Sequence, residues 1–201
     1  AIVSMKQRNP RFGCPRIAQQ ISLAFGLDLD KDTVRRVLAV HYKLDPNSRG
    51  PSWLTTIGHA KDSLWSRNAG PVGLFRCESI LLKSHWVMVV MDQYTRRIIG
   101  FGVHAGNVDG PALPHVPMSH PFVERLIGSV RRELLDQTFF WTETDLENKL
   151  RNYQSYFNES RTHSGRDGVT PMASEGNRVV DINDYRWKKH CRGLFELPVA
   201  A

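Results

Sequence analysis

The chain has 201 residues, of which 41% are hydrophobic and 23% charged, with a formal net charge of +7. That balance fits a soluble globular protein of one medium domain, or a small domain joined to a larger one. It argues against a membrane protein, because the longest apolar run, Trp86 to Met91, falls far short of the roughly 18 residues a spanning helix needs. Most of the excess charge is N-terminal: residues 1–60 hold nine Lys and Arg against four Asp, which points to an anionic partner such as nucleic acid. Cys14, Cys77 and Cys191 show no CxxC spacing, so a reduced, cytosolic setting is expected.

In chain order, Arg16–Ser22 and Lys31–His41 are predicted as short helices, with Ile17 and Ile21, then Val34, Val37 and Leu38, at helical spacing. Phe25 to Asp30 forms a Gly-containing turn between them, and Asp30 or Asp32 can cap the second helix. That helix presents Lys31, Arg35 and Arg36 on its polar side, the pattern of a helix-turn-helix or of any small helical hairpin. Residues 51–72 are linker-like, rich in turn formers. Three strands are expected next, over Leu74–Leu82, His85–Met91 and Arg97–Val103. The tight connection Asp92 to Arg96 pairs the last two as an antiparallel hairpin, with Asp92 as a turn residue. Residues 106–120 suggest neither strand nor helix. A helix follows with Val123, Leu126, Ile127, Val130 and Leu134 on its apolar stripe, and Glu124, Gly128 and Arg131 on a neighbouring face. Another opens with a capping box at Thr144 and Glu147 and buries Leu146, Leu150, Tyr153 and Phe157. The remainder is a polar, turn-rich tail.

Several ordered segments carry a resemblance. They are Arg11–Ile17 with Asp32–Leu38, Asp62–Ser66, Leu74–Val103, Val116–Gly128, Tyr156–His163 and Gly168–Pro171. Together they resemble the DDE-type insertion-sequence transposases and the integrases that share their catalytic core. The resemblance implies a ribonuclease-H-like fold in which two aspartates and a glutamate hold two divalent metals, Mg²⁺ or Mn²⁺, for in-line phosphoryl transfer on DNA. Glu124 matches the family's glutamate. The first aspartate belongs immediately before Leu74, where this chain has Gly73. The second belongs to a block of several tens of residues, whereas only twelve residues separate Val103 from Val116. Asp109 is the sole carboxylate in that gap and a weak substitute ligand. His115 and His120 lack the spacing and the partner cysteines of a zinc site.

The expected architecture is therefore α/β: an incomplete ribonuclease-H-like integrase core, with a three-stranded antiparallel sheet plus helices, preceded by a small helix-turn-helix head. The expected boundaries are 1–50 for the DNA-binding segment, 51–72 for a linker, 73–175 for the truncated core and 176–201 for the tail. The resemblance implies a recombination protein of the bacterial cytoplasm, associated with the nucleoid, and the departures at Gly73 and in the missing block make it one expected to be defective in catalysis. The alternatives are a non-catalytic DNA-binding regulator of an intact transposase, or a decayed remnant. DNA at element terminal repeats is the expected partner, through Arg16, Lys31, Arg35, Arg36, Arg125, Arg131 and Arg161. Association with itself or with an intact transposase is also expected, and contact with a membrane is not.

Overall fold

The computed structural model describes residues 1–42, 67–69, 72–106, 121–172 and 180–200. The chain forms two compact units. One is Ala1–Gly50 together with Ser155–Ala201, the other Pro51–Gln154.

The unit built from the two chain ends begins with helices α1 (Ile2–Arg8), α2 (Cys14–Phe25) and α3 (Lys31–His41). Helix α2 carries a proline in its first turn and stops at Gly26, whose φ of 63° is the left-handed conformation that glycine adopts at a helix end. Asp30 caps α3, its side chain accepting from the Asp32 N–H at 3.1 Å. Met5, Ile17, Ala18, Ile21, Phe25 and Val34 are buried. Both predicted helices are present, α2 longer than expected, while α1 was not anticipated.

The stretch expected to be an irregular tail forms an antiparallel hairpin, β5 (Tyr185–His190) with β6 (Phe195–Ala200), and β6 packs on α1 and α2. Asn9 fastens it in both directions, donating from Nδ2 to the Glu196 carbonyl at 2.8 Å and accepting from the Glu196 N–H at 3.0 Å. An aromatic cluster completes the joint. Phe195 stacks on Tyr156 with centroids 4.4 Å apart and lies 5.9 Å from Phe12, and Phe25 meets Tyr185 edge-on at 5.2 Å.

In the other unit, strands β1 (Arg67–Ala69), β2 (Val72–Glu78), β3 (Ser84–Met91) and β4 (Ile98–Ala105) form one antiparallel sheet in that order. The three expected strands are there, with short β1 added at the edge of β2. The first expected strand stops at Glu78 rather than Leu82, because the chain turns at Ser79, whose N–H donates to the Lys83 carbonyl. Ile80, Leu81 and Leu82 are left exposed in that turn. At the β3–β4 turn, the Asp92 carboxylate accepts from Tyr94 N–H and Thr95 hydroxyl, at 2.9 and 2.7 Å. These bonds hold its pKa below the ordinary aspartate value, so Asp92 is a turn residue.

Register sets the faces of the sheet. Phe75 pairs with Val87 and Gly73 with Val89, so these four residues share one face, and all are buried. Met88, on the opposite face, is 44% exposed. Helix α4 (Pro121–Val130) packs on β2 and β3 and continues as a π-helical turn, Arg131–Leu135. Its stripe Val123, Leu126, Ile127 and Val130, continued by Leu134, is buried as expected. Helix α5 (Glu143–Glu159) buries Leu146, Leu150, Tyr153, Tyr156 and Phe157. Its cap is Thr142 rather than Thr144: the Thr142 hydroxyl accepts from Asp145 N–H at 3.2 Å, and the Asp145 carboxylate accepts from Trp141 N–H at 3.4 Å. Threonine and an acid three residues on occur twice in this stretch, and the helix starts at the first pair. Gln154 donates to the Ile98 and Ile99 carbonyls of β4, at 3.2 and 2.8 Å.

Candidate functional site

The residues expected to supply chemistry lie on β2 and α4, which pack together. Gly73 is the second residue of β2, buried, paired with Val89 and on the face shared with Phe75. Glu124 stands in the first turn of α4 with an exposed side chain, where a carboxylate is favoured by the helix dipole whatever its further role. Asp109 lies outside the described residues. Hard divalent cations need several oxygen ligands converging on one point. Gly73 has no side-chain donor, and among the described residues no group of three or more His, Cys, Asp or Glu is placed to hold a metal ion. The described residues therefore do not fit a two-metal centre.

The basic residues divide into two kinds. Lys31, Arg35 and Arg36 are exposed along α3. Arg35 reaches Asp32 at 3.0 Å, and Arg36 donates to the Thr33 hydroxyl at 3.3 Å. Pairs this exposed contribute little and rearrange readily. Arg125 is exposed on α4. The other three are half-buried and held by aromatic rings. The Arg16 guanidinium lies 4.0 Å from the centroid of Phe12 and donates to the Tyr156 hydroxyl. Arg131 lies 5.5 Å from the centroid of Phe75 and donates to the Arg76 carbonyl at 3.5 Å. Arg161 sits 5.3 Å from the Phe157 ring and donates to the Thr162 carbonyl at 3.3 Å. Arginine in such settings acts through packing as much as through charge. Nothing in the spacing of residues 12, 16, 156 and 195 foretells that arrangement.

His190 adjoins this cluster, 5.6 Å from Tyr156. Its buried Nε2 has no hydrogen-bond partner among the described residues. Burial, with nearby Lys188 adding to it, pushes its pKa from 6.5 down to about 4. The folded chain therefore binds fewer protons than the unfolded chain between those values. The stabilisation is complete above pH 6.5 and is lost as pH falls toward 4. Because the ring is only partly buried, the loss is discounted to about 1–2 kcal/mol. Urea denaturation of a His190→Phe variant should show a shallower decline over that window. Parallel profiles for the variant and the unaltered chain would remove His190 as the cause.

Among the described residues no helix is long and apolar enough to cross a membrane. Residues 112–171 match the family model described as an integrase core domain. The matched stretch contains Glu124, Gly128 and Tyr156–His163, and it excludes β2 to β4 with Gly73. No curated protein and no solved structure matches the chain. Members of the integrase core family typically use divalent metals and generally bind DNA. Over this segment, the chain is similar to the integrase core domain of DDE transposases and integrases.

Proposed function

We propose that this protein binds DNA as a recombination-family member but neither cuts nor joins it. The observation that carries this reading is Gly73 on β2. Where the family resemblance requires the first carboxylate, the backbone is buried, paired with Val89 and without a side chain. The twelve residues between Val103 and Val116 leave too little chain for the helix and the strand that together bring the second aspartate into the family's core. Glu124 is then one ligand of three, and losing either aspartate removes both charge and geometry from an in-line transfer.

In this reading α2 and α3 act as the helix-turn-helix of the head. Lys31, Arg35 and Arg36 meet phosphates or base edges, and Arg125 adds a contact from the core. Their exposure supports that role, whereas Arg16, Arg131 and Arg161 stabilise the protein first. The target is duplex DNA at the terminal repeats of a related element, which places the protein with the bacterial nucleoid. Occupying those repeats would interfere with an intact transposase.

The test is nicking and strand transfer on a terminal inverted repeat with Mg²⁺ or Mn²⁺, beside a Glu124→Gln variant, with binding followed in the same tubes. Binding without product, equal in the two proteins, is expected. Product formation abolished by Glu124→Gln would show that another carboxylate completes the site and would defeat the proposal.

A further inference from the structure

The hairpin β5–β6 shows a charge pattern that its anchoring does not use. Residues 185–200 hold four cations, Arg186, Lys188, Lys189 and Arg192, against one acid, Glu196. Glu196 is already engaged: its carboxylate pairs with Arg8 and its backbone bonds Asn9 twice. The rings are engaged too. Trp187 lies under the Arg8 guanidinium at 4.9 Å, and Tyr185 packs against Phe25. Lys189 only approaches Glu196, at 3.9 Å. Arg186 and Lys188 are exposed, and neither has an acidic partner among the described residues. They lie two residues apart on the face of β5 that register shares with Val199 and Leu197. Leu197 on that face is buried, while Arg186 and Lys188 are exposed.

We propose that this hairpin is a wing of the helical head, in which Arg186 and Lys188 grip the phosphate backbone of duplex DNA as a second element beside α3. The inference rests on the DNA-binding reading above and adds a surface which that reading does not include. Side chains two apart on a strand are separated by about 6.8 Å. Each DNA strand presents a phosphate every 3.4 Å or so of helix axis, so the two cations can reach different phosphates. The hairpin's backbone is fixed to α1 and α2, so DNA binding has only the side chains of these cations left to order, not the strand that carries them. Phosphate contacts carry no sequence information, so the wing adds affinity and register while discrimination stays with α3.

The experiment measures binding of the full chain to a terminal-repeat duplex and to a scrambled duplex by fluorescence anisotropy, between 50 and 200 mM salt as typical conditions. For Arg186→Gln with Lys188→Gln, the slope of log affinity against log salt should fall by about 1.8 in magnitude. Affinity at 100 mM salt should drop about tenfold or more, equally on both duplexes. The charge-keeping pair Arg186→Lys with Lys188→Arg should retain the original slope, and a thermal melt confirms that each variant is folded. If the Gln pair binds like the unaltered chain while Arg35→Gln with Arg36→Gln loses affinity, the wing is overturned and DNA binding through α3 stands. If the unaltered chain binds neither duplex, both are overturned.

Discussion

Truncating Tyr156 to alanine should destabilise the unit built from the two chain ends by about 3–5 kcal/mol, a large part of the stability of a small domain. Tyr156 is 1% exposed, stacks on Phe195 and accepts a hydrogen bond from Arg16. Its removal opens a cavity between α5 and the hairpin and takes one acceptor from the half-buried Arg16 guanidinium. Hydrogen exchange at the α2 amides across a urea series reads the loss in that unit. Tyr156→Phe keeps the stack and removes only the acceptor, so about 1 kcal/mol is expected. Equal losses for the two substitutions would mean that the stack on Phe195 contributes nothing and that the hydroxyl carries the whole effect.

Phe75→Ala should cost the sheet unit a comparable amount, about 3–5 kcal/mol. Phe75 is fully buried at the centre of β2, directly opposite Val87, on the sheet face that α4 covers. It also carries Arg131, whose guanidinium lies near the ring. Because Val87 and Val89 are β-branched and fixed in the pleat, they cannot move in to fill the space. Exchange at β2–β4 amides, compared with exchange at α2, reports whether the damage stays in this unit. A loss below about 1 kcal/mol would show that the face is loosely packed and that Phe75 is not its anchor.

Much of this fold is legible in the sequence, for identifiable reasons. Helices α3 and α4 announce themselves through apolar residues at helical spacing, α3 with an acid in capping position at Asp30. Strands β3 and β4 follow from apolar runs around the turn at Asp92. Helix α1 escapes because its seven residues make barely two turns, with a single apolar pair, Ile2 and Met5, at helical spacing. The hairpin β5–β6 escapes because Tyr185 to His190 alternates rings with cations rather than aliphatic with polar residues, and because Pro198 argues against a strand. Its proline is tolerated on a two-stranded ribbon, whose outer edges are free. For the site, Gly73 and Glu124 stand out only against a family pattern. Physical spacing alone does not link a buried glycine on a strand with an exposed glutamate on a helix 51 positions later. The division of the arginines into exposed and ring-held groups depends on partners far along the chain: Arg16 finds Tyr156 across 140 positions.

That long reach has a consequence for how the protein is made. Asn9 and Glu196 bond across 187 positions, so one unit is assembled from the first and last segments while the other is encoded between them. Emerging from the ribosome, the first three helices have no hairpin to cover Phe12 until Phe195 has been translated. The middle unit, Pro51–Gln154, has all its residues much sooner and is free to fold first. A premature stop before Phe195 would strand the three N-terminal helices with an uncovered aromatic face at Phe12, a species for chaperones and proteases.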